Sequence, residues 1–300
     1  MTDFAYGTNF AGLALILFLC GQVYTARNII VLVFLILWGL RLALYLFARV
    51  LKEGKDARFD DTRDHFFKFM VFWILQCVTV WTISIPFVFL FSRAVTPLLG
   101  WQDIVGIIIW VIGFVIEAVA DVQKFRFKNQ PENRKRMCTI GLWNYSRHPN
   151  YFGEALCWWG IWSLCTRAFD ADGNLWLYWS VVSPLYVGTI LLFLSGIPTL
   201  EEPWDKKYGK DADYRRYKKS VPPFIMFIPS LYAGFPKAIK FALCCEFYCL
   251  YWKKWPESAD GSGDSDEAAS TGGKTLVNPG EGGDLEEGWE KNAHSVSYQK

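Results

Sequence analysis

Side chains able to do chemistry are concentrated in residues 141–154, between a basic connection and an apolar segment. An arginine and a histidine precede a proline there, and three further polar side chains follow it: Arg147, His148, Asn150, Tyr151 and Glu154. The proline favours the start of a helix, because its missing N–H would be unpaired at that position. Arginine forms bidentate contacts with phosphate, and histidine and asparagine bind ribose or amide groups. We therefore predict a ligand-binding site where this helix meets the membrane boundary.

A second group of charged residues closes the preceding apolar segment. Glu117, Asp121 and either Lys124 or Lys128 share one helical face, because they are spaced by three or four residues. These side chains form either a ladder of mutual salt bridges that leaves the membrane or the polar wall of a pocket on the cytosolic side. Glu117 lies deeper in the predicted span than a charged side chain that reaches back to the membrane surface. This depth favours the pocket wall.

The third group is a pair of adjacent carboxylates, Glu201 and Glu202, followed by a segment rich in basic and aromatic residues. A solvated amphipathic helix and a further wall of the same site both explain this pattern. The sequence contains no glycine-rich phosphate loop, Ser-His-Asp order or H-E-x-x-H run. A dinucleotide site of the soluble Rossmann type is therefore excluded.

The composition indicates which elements must position these groups. Of the 300 residues, 52% are hydrophobic and 18% are aromatic, which is high for a soluble protein. Several apolar segments approach or exceed the length of a membrane-spanning helix. We predict an all-α fold, a polytopic transmembrane helical bundle of about six spans, over residues 4–26, 28–48, 69–91, 104–120, 151–166 and 175–199.

The basic residues predict the orientation of this bundle. They cluster in the connections after the second, fourth and sixth spans, which places both termini in the cytosol. The three charged groups then surround a cofactor cavity on the cytosolic side. We divide the chain into N-terminal transmembrane helices on the substrate side, a catalytic region, an interfacial or buried terminal helix, and a disordered acidic tail: residues 1–100, 101–236, 237–256 and 257–300.

Charge and ligand spacing argue against two other classes of function. The net charge of +2 gives no global field that would attract nucleic acid. The three histidines and eight cysteines lack the spacing of metal ligands, so we expect no metal site.

Taken together, the motifs resemble a superfamily of membrane enzymes. It contains the steroid 5-alpha-reductases, the sterol C14/C7 reductases and the isoprenylcysteine carboxyl methyltransferases. The chain is most similar to the branch described as DUF1295, or steroid 5-alpha-reductase-like membrane proteins. The similarity covers roughly residues 28–230 and lies in Trp38-Gly39-Leu40-Arg41-Leu42-Ala43, residues 117–128, residues 141–154 and Ser195-Gly196-Ile197-Pro198.

This resemblance implies a cofactor and its contacts. Reductases of the superfamily bind NADPH in a cytosol-facing cavity among the last helices. Arg147, His148 and Tyr151 match the sterol-reductase form of the motif, whereas Glu201 and Glu202 look more like the methyltransferase pattern. By analogy, the cofactor-binding residues are Glu117, Asp121, Lys128, Arg147, His148, Asn150, Tyr151, Glu154, Glu201 and Glu202.

The resemblance does not assign catalytic residues. In the steroid reductases a glutamate and a tyrosine from the N-terminal helices polarise the substrate carbonyl. Four polar residues of this region are candidates for that role here: Gln22, Tyr24, Arg41 and Tyr45.

Three functional hypotheses follow from the motifs and the resemblance. The leading one is an NADPH-dependent reductase, in the endoplasmic reticulum, of a carbon–carbon double bond in a sterol-like or enone substrate that enters from the bilayer between spans one, two and four. An S-adenosylmethionine-dependent methyltransferase of a membrane lipid is the alternative enzyme. A non-catalytic lipid-binding protein of the same fold is the third. The expected partners are the lipophilic substrate and membrane lipids; the sequence predicts neither the substrate's identity nor the oligomeric state.

Overall fold

The computed structural model describes residues 2–53, 65–94, 96–134, 136–171 and 173–247. Within these ranges the chain is helical and contains no β-strand, which confirms the predicted fold class. The predicted acidic tail, residues 257–300, and the last part of the predicted terminal helix lie outside the described residues.

The helices are long in the first part of the chain and short in the second. The long ones are α1 Thr2–Gly21, α2 Ala26–Glu53, α3 Phe66–Phe91, α4 Trp101–Asn129 and α5 Pro149–Ala171, with single 3-10 turns at Pro131–Asn133 and Gly141–Asn144. A 3-10 segment then leads into the shorter helices: Leu175–Val181, α6 Val182–Thr189, α7 Ile197–Tyr208, α8 Ala212–Ser220, α9 Pro229–Ala233 and α10 Lys237–Cys244.

Among the described residues, four helical segments are long and apolar enough to cross a membrane: Ala26–Ala48, Phe66–Phe91, Trp101–Asn129 and Trp176–Tyr208. Tyr6–Gly21 is a shorter apolar helix. These segments correspond to five of the six predicted spans, so the chain is an integral membrane protein. The remaining predicted span lies in α5, which is rich in tryptophan and also carries Glu154, Arg167 and Asp170. Most of the α5 side chains are buried against other helices.

Glycines allow α5 to pack antiparallel against α4 at very short distance. A Cβ atom on Gly113 would lie 2.7 Å from the carbonyl oxygen of Gly153, and one on Gly160 would lie 2.8 Å from that of Gly106. Small residues at helix contacts are typical of membrane proteins, where close packing replaces the hydrophobic effect as the source of association. The two glycine pairs therefore fix α5, and with it the motif at its start, against α4.

The sixth predicted span is interrupted instead of forming one helix. After α6, residues Ile190–Leu194 form a π-helical turn, and the chain bends at Ser195 and Gly196 before α7 begins. A Cβ atom on Gly196 would overlap the carbonyl oxygen of Leu191, so only glycine fits at this bend. Beyond the bend Glu201 is 1% exposed and points into the protein.

A buried ion pair fixes the start of α2 to the start of α4, at the opposite end of α4 from Asp121. The Nε and Nη2 atoms of Arg27 donate to Asp103 at 2.6 and 2.8 Å. The same guanidinium donates to the carbonyl oxygens of Pro97 and Leu98 at 2.9 and 3.2 Å. Asp103 also accepts from the backbone N–H of Gly100 at 2.7 Å, so it caps its own helix.

We predict that Gly113→Ala destabilises the protein by about 1–3 kcal/mol, because the new methyl group forces α4 and α5 apart. The matched control is Gly188→Ala, since no heavy atom lies within 4 Å of a Cβ at that helical position. Thermal unfolding in detergent measures both variants. Equal stability of the two variants would contradict this account of the α4–α5 contact.

Candidate functional site

The turn that precedes α5 directs Arg147 into the interior of the protein. The backbone N–H of Arg147 donates to the carbonyl oxygen of Pro222 at 2.8 Å. The hydroxyl of the neighbouring Ser146 donates to the carbonyl oxygen of Phe224, also at 2.8 Å. These bonds hold the turn against the segment that follows α8, and the Arg147 side chain is 1% exposed.

The Arg147 guanidinium divides between two carboxylates. Nη1 donates to Oε2 of Glu201 at 3.0 Å, and Nη2 donates to Oε1 of Glu246 at 2.6 Å. Glu201 lies on α7 and Glu246 follows α10, so one arginine joins three parts of the chain. Burial by itself lowers the pKa of Arg147, but the two carboxylates more than reverse this effect. The net pKa is raised, and the guanidinium remains charged.

Lys218 adds a second cation to this cluster. Its Nζ atom lies 2.8 Å from Oε2 of Glu201 and 2.6 and 2.9 Å from the two carboxylate oxygens of Asp205. The hydroxyl of Tyr214, one turn earlier on α8, donates to Asp205 at 2.7 Å. Lys218 is fully buried. Without carboxylate partners its charge would cost several kcal/mol at this depth.

We call Arg147, Glu201, Asp205, Lys218 and Glu246 the ionic network. All five are buried. When each is ionised, the two cations face three carboxylates, so the network carries one excess negative charge.

His148 lies beside the network, between two aromatic rings. Its ring is parallel to Tyr151 at 5.5 Å and to Trp204 at 5.1 Å between centroids. The Nε2 atom lies 3.1 Å from Glu201. We assign the proton to Nε2, because a carboxylate only accepts. Burial lowers the pKa of His148 to about 4, so the ring is neutral at pH 7. Within the described part of the chain its Nδ1 atom has no hydrogen-bond partner.

A second charged cluster joins the N-terminal half of the chain to the motif on α5. The Arg41 guanidinium, from α2, donates to Glu117 and, at 2.8 Å, to Asp121, both on α4. The indole N–H of Trp38 donates to the other oxygen of Glu117 at 3.1 Å. The carboxylate of Glu154 on α5 acts electrostatically on both Arg41 and Glu117. We call these five residues the Arg41 cluster.

The remaining predicted cofactor residues lie in different surroundings. Tyr151 stacks on His148, and Asn150 is half-buried at the start of α5. Lys128 donates to the backbone carbonyl oxygens of Arg134 and Arg136, so it stabilises the connection that follows α4. Glu202 points away from its neighbour Glu201 and pairs with Lys206 at the surface. The two adjacent glutamates therefore face different environments.

Of the four candidates for polarising the substrate carbonyl, Arg41 is the one that lies near the motif at the start of α5. Gln22 and Tyr24 lie in the connection between α1 and α2, and Tyr24 is 59% exposed. That connection leads into Arg27 at the start of α2, whereas the Arg41 cluster lies in the second half of the helix. Tyr45 packs edge-to-face against Phe125, with the ring centroids 6.5 Å apart.

Several residues of the site were not predicted from the sequence: Trp38, Trp204, Asp205, Tyr214, Lys218, Tyr232 and Glu246. Helical spacing is the signal that identifies some of them. Asp205 follows Glu201 by four residues, and Trp38 precedes Arg41 by three, so each pair shares a helix face. Glu246 carries no local signal, because its partner Arg147 lies 99 residues earlier in the chain.

We predict that Lys218→Met destabilises the protein by about 3–5 kcal/mol, because it leaves the carboxylates of Glu201 and Asp205 buried with one cation fewer. Arg216→Met, on the same helix, is the matched control. Arg216 pairs with Asp213 at 3.5 Å, and both side chains are at least 80% exposed. Its loss should therefore change thermal stability little. Similar melting temperatures for the two variants would show that the network contributes nothing to folding.

Two curated proteins are similar to part of the chain. The chain is 31% identical over 127 residues to a protein-S-isoprenylcysteine O-methyltransferase of Dictyostelium discoideum, covering 39% of this chain and 46% of that protein. It is 29% identical over 128 residues to steroid 5-alpha-reductase DET2 of Gossypium hirsutum, covering 43% and 44% respectively. The chain thus matches less than half the length of each relative.

No solved structure matches the chain significantly. The family model described as "Protein of unknown function (DUF1295)" matches residues 1–221, which include the whole Arg41 cluster and the motif at the start of α5. The chain belongs to the DUF1295 family.

Proposed function

We propose that the protein is an NADPH-dependent reductase of a carbon–carbon double bond in a lipophilic enone or sterol-like substrate. The observation that carries the proposal is the contact of Arg41 with Glu117 beside Glu154. This contact brings a polar donor from the N-terminal helices beside the start of α5, where a Cβ atom on Gly153 would lie 2.8 Å from that of Glu117 and where Glu154 acts electrostatically on Arg41. An enone reductase needs this combination of a hydride-donor site and a group that polarises the acceptor carbonyl.

The residues of the Arg41 cluster suit the second of these tasks. The Arg41 guanidinium is charged, and its Nε atom has no hydrogen-bond partner within the described residues. A carbonyl oxygen that accepts from Arg41 gains stabilisation as negative charge develops on it. Glu117 and Asp121 hold the guanidinium in place, so the donor is oriented before substrate arrives. NADPH, when bound, supplies the hydride.

The surroundings of α5 also fit a phosphate-bearing cofactor. Residues 122–136 carry six basic side chains and one acidic side chain, and they lead into the motif. Lys124 extends over the faces of Trp143 and Trp204, with Nζ 4.7 and 5.6 Å from the ring centroids. Asn150 and the buried Nδ1 atom of His148, whose ring stacks on Trp204, are further polar groups of this region. In this proposal the basic side chains would hold the phosphates of the cofactor, and Asn150 and Glu154 would hold the nicotinamide ring.

An apolar groove supports the lipophilic substrate class. Its volume is about 680 Å³, and it lies between α1, α3 and the 3-10 segment before α6. Leucine, valine and aromatic side chains form most of its walls, and the hydroxyls of Ser84 and Ser180 add polar groups. A sterol-like body or an acyl chain has the matching surface. With both termini in the cytosol and the protein in the endoplasmic reticulum, the cofactor site would open to cytosolic NADPH.

One observation favours a methyltransferase as the second candidate. The half-buried Arg41 and the buried Arg147 and Lys218 are all paired with carboxylates of the same chain, and the ionic network has excess negative charge. S-adenosylmethionine carries a sulfonium cation and no phosphate, so it needs fewer unpaired cations than NADPH does. The relative from Dictyostelium discoideum is named as a methyltransferase.

Thermal shift of the detergent-purified protein with NADPH, NADH and S-adenosylmethionine in parallel tests the proposal. A ligand that binds only the folded state raises its stability, by about 2.7 kcal/mol at one hundred times its Kd. We expect NADPH to stabilise the protein and Asn150→Ala to abolish the effect. The matched control is Asn144→Ala, an exposed asparagine of the preceding 3-10 turn that should leave the shift unchanged.

Two results would contradict the reductase proposal. Stabilisation by S-adenosylmethionine alone would favour methyl transfer. Absence of a shift with all three ligands, in protein shown to be folded, would favour a non-catalytic lipid-binding role.

A further inference from the structure

The segment after α8 reaches the site from outside the matched family region. The family match ends at residue 221, whereas Glu246 lies 25 residues later and still contacts Arg147. Glu246 and Arg147 are each 1% exposed, so this contact is part of the interior. We call residues 237–247, which comprise α10 and the three residues after it, the C-terminal strap.

Within the described residues, Arg147 and Tyr232 both donate to the Glu246 carboxylate. Arg147 donates Nη2–H to Oε1 at 2.6 Å, and the hydroxyl of Tyr232, on α9, donates to Oε2. A cation and a hydroxyl that converge on one carboxylate form a seat for an oxyanion. The same arrangement suits a phosphate or the carboxylate of a small molecule equally well, because the donors recognise oxygen atoms and negative charge.

The strap adopts a special backbone conformation to deliver this carboxylate. Helix α10 ends at Cys244, and Cys245 follows with φ of 56°, in the left-handed region that is unfavourable for most residues. The turn closes when the backbone N–H of Glu246 donates to the carbonyl oxygen of Lys240 at 3.1 Å. Phe247 packs on Phe193 with the ring centroids 4.7 Å apart. The turn thus directs Glu246 inward.

The charges of the ionic network single out Glu246. Without it, Arg147 and Lys218 balance Glu201 and Asp205, and the network is neutral. With it, the five residues of the network carry one negative charge in excess, and the ammonium group of Lys240, on the strap itself, acts electrostatically on Glu246. Another anion in the same seat would keep both Arg147 and Tyr232 satisfied, so the seat does not depend on Glu246 for its hydrogen bonds. Besides Glu246, the strap contacts other elements through Phe247 on Phe193 and through the Nζ atom of Lys240, which lies 3.4 Å from the carbonyl oxygens of Lys219 and Ala233. The other network members lie within or directly before the helices of the bundle.

We propose that the C-terminal strap is an autoinhibitory element, and that Glu246 occupies the seat for an anionic group of the cofactor. The inference rests on the proposed function. The seat takes a phosphate of NADPH in a reductase or the carboxylate of S-adenosylmethionine in a methyltransferase. Ligand binding displaces Glu246, releases the strap and exposes Cys244, which is 1% accessible in this closed state.

Thiol labelling of Cys244 in the full-length protein measures release of the strap, with peptide fragmentation to distinguish it from Cys245. Inorganic pyrophosphate is the first probe, and sodium chloride of equal ionic strength is its control. NADPH and S-adenosylmethionine are separate arms that distinguish the two sources of the anion. We expect pyrophosphate to accelerate labelling saturably, and one of the two cofactors to do the same at lower concentration.

Glu246→Gln tests the same seat from the other side. This variant should label rapidly without any anion, and the concentration of pyrophosphate that half-maximally stabilises it should fall at least about fivefold. Asp213→Asn, which removes an exposed carboxylate from α8, should behave as the wild type in both assays.

Two outcomes would overturn the proposal. Slow labelling of Glu246→Gln would show that Glu246 does not hold the strap. Rapid labelling of that variant, with no response of the wild type to any anion, would show that Glu246 holds the strap but that no anion displaces it. The strap would then be a structural element and not an autoinhibitory one. A failure of the proposed reductase function is distinguishable from both, because pyrophosphate would still release the strap while NADPH had no effect.

Discussion

The buried ion pair between Arg147 and Glu201 is the interaction on which the rest of the site depends. A guanidinium at this depth is unfavourable by several kcal/mol unless carboxylates surround it, and the same holds for each carboxylate without a cation. Every element that contributes a partner must therefore take a fixed position. The turn before α5, the bend before α7 and the end of α10 are all placed so that their charged groups meet.

This requirement explains two irregular features of the backbone. The predicted sixth span is broken by a π-helical turn and a glycine bend, which a simple membrane crossing does not need. The bend directs Glu201 at Arg147 and His148. In α5, the charged start is held in place by the glycine contacts with α4, so the Arg41 cluster and the ionic network are fixed relative to one another. Helix α5 therefore carries both the charged residues of the site and the glycines that pack against α4.

Much of the fold follows from the sequence, because the length of each apolar segment identifies a membrane helix directly. The groups of charged residues on α4 and α5 are also visible in the sequence, since their members are three or four residues apart. The partners of these groups are not visible in the sequence. Arg41 is 76 residues from Glu117, and Glu246 is 99 residues from Arg147, and no local pattern encodes such pairs. Nor does the adjacency of Glu201 and Glu202 show that one is buried and the other is at the surface.

The central claim is that the motif on α5 and the Arg41 cluster together form a reductase site. Label transfer tests it most directly. The purified protein in lipid nanodiscs is incubated with a lipid extract of its source membrane and either NADPH deuterated at the transferable position or S-adenosylmethionine with a deuterated methyl group. Mass spectrometry should find deuterium from NADPH in a lipid that has lost a double bond. Label from S-adenosylmethionine alone would contradict the account and identify the site as a methyltransferase centre.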